Sequence, residues 1–238
     1  MKVLAVGGAG TVGTLLRPAL EAQHDLYVFD ARKVDGLDGR SLVGDVSDDA
    51  AVRRAVAGMD AVIYMPMGVR PDVKVPCQDI DAAFNVNVRG AYRFLNASLE
   101  AGTRRFVYAS SMSVYDHRLR RPILNEDMPA DEWGTYGLSK RLAEEVCAAA
   151  ATRWPDAVIL ALRLVHPIDE LALRRHMARR PEPPFQFTAP NDLRRLFLAA
   201  LSYDRPGLHI VQASSDTSDA RYPNARVTEL LGWRPTVR

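Results

Sequence analysis

The segment Val3–Val6 followed by Gly7-Gly8-Ala9-Gly10-Thr11-Val12-Gly13 constrains the fold more than any other part of the chain. An apolar run this short reads as a buried strand, and helical spacing from Thr11 to about Ala22 begins directly on the glycines. Each glycine has a mechanical use. Gly7 lets the chain leave the strand sharply, Gly10 lets backbone approach a pyrophosphate, and Gly13 lets the helix lie close against the strand. The helix start, Thr11-Val12-Gly13, then offers free N–H groups and the positive end of its dipole to phosphates. Taken alone, the glycines also read as a simple strand-to-helix turn with no ligand.

The same rhythm continues. Leu26–Phe29, Ser41–Val43, Ala61–Met65, Phe106–Ala109 and Val158–Leu164 are short apolar runs, and Asp48–Ala57, Asp79–Ala101 and Tyr136–Thr152 have helical spacing. Strands separated by helices predict an α/β fold: a doubly wound parallel sheet of the Rossmann type, covered on both faces. Composition changes after Pro167, where Arg174, Arg175, Arg179 and Arg180 precede the turn-forming Pro181-Glu182-Pro183-Pro184. A helix at Asp192–Leu201, a strand at Leu208–Val211 and a helix at Ala225–Leu231 follow. The expected organisation is a dinucleotide-binding core over residues 1–165 and a small substrate cap over 166–238, interleaved with the end of the core.

Several function classes are not expected. A formal net charge of +2 over 238 residues is too small to suggest nucleic acid or a membrane surface as partner. Cys77 and Cys147 lie far apart, with no metal-type spacing and too few for a disulfide framework, so no metal is expected and a reducing cytoplasm fits best. No apolar run has the length of a membrane span, and the opening residues lack the pattern of a secretory leader.

Asp30 closes the second strand, where a carboxylate accepts both ribose hydroxyls of an adenosine. That position selects the dinucleotide reading of the glycines and favours NAD, since Asp30 repels a 2′-phosphate. Arg32 and Lys33 follow closely, so NADP stays open; a solvated turn is the other reading of that pair. Asp45-Val46, after the third strand, is placed to meet the adenine, or Asp45 caps the next helix.

Tyr136 and Lys140 stand four residues apart and share a helix face. A lysine beside a tyrosine stabilises the phenolate, so the phenol can exchange the proton that accompanies hydride transfer. The predicted strand at Phe106 runs into Ser110-Ser111-Met112-Ser113, and hydroxyls at that strand end emerge where such sheets bind ligands. Ser111 is the candidate to orient a substrate oxygen; the alternative is a capping serine in a polar loop.

With these residues in hand, the chain resembles the extended short-chain dehydrogenases/reductases, within the NAD-dependent epimerase/dehydratase group. The matching residues are Gly7, Gly10, Gly13, Asp30, Asp45-Val46, Asn87-Val88-x-Gly90, Ser110-Ser111-x-x-Val114-Tyr115 and Tyr136-x-x-x-Lys140. Leu162-Arg163, Asp192 and Leu230-Leu231-Gly232-Trp233-x-Pro235 extend the resemblance to the end of the chain. It implies Tyr136 as acid/base, Lys140 as partner of the phenol and the nicotinamide ribose, both of them also in contact with the cofactor, and Ser111 as the hydroxyl that holds substrate. It also implies that Asn87 keeps the active-site helices aligned, although a buried packing residue is an equal reading. The two long helices form a dimer interface in this family, so a homodimer is expected. Helical spacing does not say whether Phe84, Val88, Tyr92, Leu95, Leu142 and Val146 face the sheet or a partner.

The departures bear on substrate. Tyr64-Met65-Pro66-Met67-Gly68 replaces the family's usual sequence after the fourth strand, and Leu164-Val165-His166-Pro167 replaces Asn-Val-Tyr-Gly-Pro after the sixth. The short stretch between Pro167 and Asp192 leaves little surface for a nucleotide-sugar, so a small molecule is expected. The compact C-terminal half is most similar to the uronate dehydrogenases, in which an arginine suits the substrate carboxylate. Arg174 or Arg175 lies in the corresponding stretch, or both belong to an exposed helix face. Ser113 and His166 are further substrate candidates, although Met112-Ser113 stands where uronate dehydrogenases carry Asn-His. The leading expectation is an NAD-dependent oxidoreductase acting on a hydroxyl of a small sugar or sugar acid. Alternatives are a sugar or nucleotide-sugar epimerase/dehydratase with recycled cofactor, and a dinucleotide-sensing regulator without turnover.

Overall fold

The first strand, β1 (Lys2–Val6), is buried at every position after Lys2 and pairs with a neighbour on each side. A strand flanked on both edges and covered on both faces has no solvent side, so it reads as a continuous apolar run. In this computed structural model, which describes residues 1–68, 79–119, 123 and 125–237, the remaining strands are β2 (Asp25–Asp30), β3 (Ser41–Val43), β4 (Ala61–Tyr64), β5 (Arg105–Ser111), β6 (Val158–Leu164) and β7 (Gly207–Ala213). All pair in parallel, in the order β3-β2-β1-β4-β5-β6-β7. The expected doubly wound sheet is present. Its order reverses between β1 and β4, which opens a crevice at their carboxyl ends, where ligands bind in such sheets.

The helices are α1 (Thr11–Gln23), α2 (Asp49–Val56), α3 (Ile80–Ala82), α4 (Ala91–Glu100), α5 (Thr135–Arg153), α6 (Glu170–Arg179), α7 (Pro190–Ser202) and α8 (Ala225–Leu231). A π-helical stretch, Ala83–Gly90, joins α3 to α4, so the long helix expected over Asp79–Ala101 is one rod with a widened centre. The widening coincides with an inserted side chain: the buried Tyr64 hydroxyl donates to Val86 O at 2.6 Å. A Cβ on Gly90 would lie 2.4 Å from that hydroxyl, so only glycine fits beside it. Such bulges mark sites where a helix serves something other than its own ladder.

The two sheet faces bury different cores. Leu16, Leu20, Leu193, Leu196 and Phe197 cover one face through α1 and α7. Phe29, Tyr64, Phe94, Phe106 and Tyr108 make the other an aromatic core under α4 and α5. Each such side chain contributes about 1.5–3 kcal/mol when fully buried. Leu95 belongs to this second core, whereas Tyr92 is 56% exposed, so the outward face of α4 is partly apolar.

The arginine-rich stretch after Pro167 forms α6, capped by Asp169, which accepts from Ala172 N at 2.7 Å. No residue of α6 is fully buried, but Leu173 and Met177 rest on a small separate cluster of Phe185, Phe187 and Ala189. The C-terminal region also adds β7 to the main sheet and α7 and α8 to its face, so it is continuous with the core. A polar knot holds it. Buried Asp192 accepts from Ser215 Oγ (2.7 Å), Thr236 N (2.9 Å) and Arg195, and its backbone oxygen accepts from Trp233 Nε1 (3.0 Å).

Candidate functional site

The glycine turn has the shape the sequence requires. Gly7 has a φ of 78°, and Gly10 caps α1 with no side chain satisfying the first-turn N–H groups. A Cβ on Gly13 would lie 2.4 Å from Gly8 Cα, so the helix start presses directly on the turn. Asp30, at the end of β2, reaches back to this turn: Oδ2 accepts from Ala9 N and Oδ1 from Arg32 N, both at 3.0 Å. Arg32 Nη2 donates to Ala9 O at 2.6 Å, so Arg32 is tied to the turn beside Asp30, with Lys33 exposed next to it. The capping alternative for Asp45 goes to another residue, since Asp48 accepts from Ala50 N and Ala51 N at the start of α2. Asp45 instead accepts from Ser47 N at 2.7 Å, and bonding to Ser47 lowers its pKa. Val46 lies against Gly90 of the π-helical stretch.

The carboxyl ends of β4, β5 and β6 surround a cavity of about 580 Å³. Ser111, Ser113, Tyr136, Lys140 and His166 all line it, together with Val12 from the start of α1. They arrive from β5, the turn after it, α5, the segment after β6 and α1, and two local devices bring the serines and Tyr136 together. Ser111 Oγ accepts from Ser113 N at 3.1 Å, so Ser111 caps a single 3₁₀ turn, Met112–Val114, while still lining the cavity. The capping reading of Ser111 is therefore met, and the cap does not take Ser111 out of the cavity wall. A Cβ on Gly137 would lie 2.0 Å from Ser113 O, so this glycine lets the first turn of α5 press Tyr136 against the serine loop.

Lys140 is buried to 2% exposure. Its Nζ donates to Ala109 O (2.9 Å) and Pro66 O (3.2 Å) and stands 5.0 Å above the Tyr108 ring and 5.8 Å from the Tyr136 ring. Burial lowers its pKa to about 7, opposed by the nearby Glu144 carboxylate. Pro66 thus contributes its carbonyl to the site, and its ring and nitrogen crowd Gly7. Asn87 Nδ2 donates to Ser139 Oγ at 2.9 Å, tying the π-helical stretch to α5. Asn87 is thus a fully buried packing residue whose side-chain bond links the two helices.

His166 has a φ of 32°, unusual for a residue with a side chain, and sits exposed at the end of β6 on the cavity wall. Its carbonyl accepts from Thr188 N at 3.3 Å, and Thr188 Oγ1 donates to Val165 O at 2.8 Å, so the strained turn is clamped. Arg174, expected to face a substrate carboxylate, is exposed on α6 and outside the cavity lining, as is Arg175. The reason is packing: Leu173 and Met177 turn inward onto Phe185 and Phe187, which leaves the arginines outward. Residues the sequence reading passed over also line the cavity: Met65, Met67, His117, Gln186 and Tyr222. The motif Tyr136-Gly137 carried an unread signal for the close approach, since glycine in a first helical turn is costly without a packing reason. Cys77 lies outside the described residues, and Cys147 is a buried free thiol. Among the described residues there is no cluster of metal-ligating side chains, and no helix is long and apolar enough to cross a membrane.

A family model for the NAD dependent epimerase/dehydratase family matches residues 3–179. The chain belongs to this family. Its relatives differ in what they do. A 4-epimerase acting on N-acetyl-alpha-D-glucosaminyl-diphospho-ditrans,octacis-undecaprenol, from Escherichia coli O157:H7, is 32% identical over 60% of this chain and 42% of its own length. A uronate dehydrogenase of Pseudomonas syringae pv. tomato is 27% identical over 98% of this chain and 81% of its own length. The solved structure of glucuronic acid dehydrogenase from Chromohalobacter salexigens superposes with a TM-score of 0.77 at 25% identity, covering 99% of this chain and 84% of that one. The match spans less than half of the E. coli epimerase, and likewise 42% of an L-arabinose 1-dehydrogenase (NAD(P)(+)) from Haloferax volcanii.

Proposed function

We propose that the chain is an NAD-dependent oxidoreductase acting on a hydroxyl of a small sugar or sugar acid. The observation that carries this reading is the convergence of Ser111, Tyr136 and Lys140 on one cavity beside the glycine turn. The turn fits a dinucleotide: its backbone is bare, a Cβ at Gly13 would close it, and the first N–H groups of α1 lack a side-chain cap. Gly7, Gly10, Thr11, Val12 and Gly13 hold the pyrophosphate in this proposal. Each Asp30 oxygen accepts one backbone N–H and keeps a lone pair for a ribose hydroxyl. Asp45 and Val46 flank the adenine, and Lys140 the nicotinamide ribose. When bound, the nicotinamide supplies the hydride acceptor.

The remaining chemistry belongs to side chains. Ser111 Oγ orients the reacting hydroxyl, and Tyr136 takes its proton as the carbon loses hydride. Lys140, when protonated, favours the phenolate of Tyr136 electrostatically. Ser113, His166 and the exposed rim of the cavity meet the rest of the substrate. The cavity has a volume in the range of small-ligand sites, which supports a single sugar ring beside the cofactor. The functional division into 1–165 and 166–238 follows, with the second part forming the outer wall. A reducing cytoplasm suits the free thiol of Cys147.

A panel of uronic acids, aldoses and nucleotide-sugars with NAD or NADP, followed by absorbance of the reduced cofactor, tests this reading. Accumulation with a free sugar or sugar acid and NAD is expected. Turnover only with NADP would overturn the argument from Asp30, and turnover only with nucleotide-sugars would overturn the small substrate. The epimerase relatives favour a second reading, in which product forms with no net reduced cofactor.

The outward face of α4 and α5, with Tyr92 exposed beside Leu142 and Val146, supports a homodimer through these helices. Tyr92→Glu is expected to convert the dimer to monomer in light scattering. A wild-type protein that is monomeric at micromolar concentration would remove this part of the proposal.

A further inference from the structure

Glu144 lies one helical turn beyond Lys140 on α5, and both side chains are buried. A carboxylate at this depth is costly unless donors fix it, and three do. Ser110 Oγ (2.6 Å) and Arg163 Nε (2.9 Å) reach Oε1, and Arg163 Nη2 (2.7 Å) reaches Oε2. Arg163 is held in turn, donating to the Tyr115 hydroxyl and to Glu126 O at 3.2 Å. Glu144 therefore has a single position, set from β5 and β6, and cannot swing to solvent.

Lys140 has no comparable support of its own. Its ammonium donates to two neutral carbonyls and faces two aromatic rings, Tyr108 from β5 and Tyr136 from its own helix. Cys147, on the same helix and also buried, is held neutral because burial pushes its thiol pKa up. Arg163, from β6, bears on Lys140 through Glu144. Burial drives Lys140 toward the neutral amine, and the Glu144 carboxylate opposes that drive. A neutral Lys140 gives the Tyr136 phenolate no electrostatic support; a charged one stabilises it.

We propose that Glu144 is a positioning residue for the proton step: anchored by Arg163 and Ser110, its fixed charge decides whether Lys140 carries the charge that keeps Tyr136 as the phenolate able to take the substrate proton. This rests on the hydride-transfer reading of Tyr136 and Lys140. It adds a residue that touches neither substrate nor cofactor and acts only through the lysine.

The chain makes the test direct. Its lysines are Lys2, Lys33, Lys74 and Lys140, so protein labelled with ¹⁵N at lysine Nζ gives four amine signals, and Lys140→Arg identifies the one that matters. The full cofactor-free chain is titrated by NMR. The wild-type Lys140 midpoint is expected near 7, far below the roughly 10.4 of a free lysine. Glu144→Gln is expected to move it down by about one pH unit or more, and Glu144→Asp, which keeps the charge, by less. If Glu144→Gln does not fold because Arg163 has lost its partner, the Glu144→Gln/Arg163→Gln pair replaces it, again with a lowered midpoint expected.

A wild-type Lys140 that titrates like a free lysine overturns the proposal, because its charge then needs no help. So does a folded variant with an unmoved midpoint: a purely structural Glu144 changes the unfolding temperature and leaves the titration alone. No substrate enters the measurement. Failure to find a sugar that reduces NAD would count against the proposed reaction and leave this result standing, while an unmoved midpoint removes Glu144 whatever the reaction.

Discussion

The two walls of the cavity are built by different means. On the β1 and β4 side the lining is Val12, Met65 and Met67, held by backbone behind them: the glycine turn, where a Cβ would intrude, and Pro66, whose carbonyl accepts from Lys140. On the β6 side the wall is His166, Pro167, Gln186 and Tyr222, held by side-chain hydrogen bonds that converge on Thr188 and Asp192. A backbone-made wall tolerates few substitutions but needs only local sequence. A side-chain-made wall depends on partners far along the chain, since Asp192 bonds to Ser215 and to Thr236, 23 and 44 residues away. The first is suited to a ligand that stays the same, and the second to one that varies.

The largest effect expected lies where the walls meet. Tyr136→Phe removes the phenol and leaves the ring, and is expected to lower kcat/KM by about 10²–10⁴-fold, with NADH binding unchanged by fluorescence titration. If every measurable activity survives, the dinucleotide-sensing reading takes over. Asp192→Ala attacks the second wall alone. It leaves Ser215 and Thr236 without their acceptor and is expected to cost about 2–3 kcal/mol in urea unfolding, less than a fully buried pair because Arg195 keeps access to water. Cofactor affinity is expected to hold within about threefold, a shift of under 1 kcal/mol. A parallel loss of cofactor affinity would mean that the walls are one unit.

Gly13→Val makes the opposite cut. A Cβ there meets Gly8 Cα at 2.4 Å, and overpacking of this kind costs about 1–3 kcal/mol. NADH binding is expected to be lost along with that stability, because relief requires the helix start to move off the turn. Retained binding would show that the N–H groups of α1 do not hold the pyrophosphate.

The contrast between the walls also explains what was legible in the sequence. The glycine turn, Asp30 and the Tyr136–Lys140 pair were readable because their geometry is set within one turn or one strand-turn-helix unit. The sheet was readable because each buried strand is a continuous apolar run. The π-helical centre of the long helix was not, since it coincides with the Tyr64 hydroxyl arriving from 22 residues earlier. Nor was Glu144: its partners Ser110 and Arg163 come from two other strands, and a glutamate on a long helix reads as solvated until those strands are side by side. Helix α6 was legible only as the exposed arginine face; its inward residues, Leu173 and Met177, have no partners until Phe185 and Phe187 fold beneath them.

The smallest effect is expected at Arg174, and it bears most directly on the second wall. The resemblance to uronate dehydrogenases assigns this stretch an arginine for the substrate carboxylate, yet Arg174 points away from the cavity on a helix whose apolar side is already satisfied. If α6 stays where it is, Arg174→Ala changes stability by no more than about 0.5 kcal/mol and leaves the KM for any uronate unchanged. If α6 turns inward when substrate binds, the same variant raises that KM roughly tenfold, the equivalent of about 1.4 kcal/mol, while the KM for a neutral aldose stays put. The neutral sugar is the necessary control, because a general loosening of the wall would raise both. Reading both constants on one variant separates a wall fixed by Asp192 and Thr188 from one that closes over its substrate.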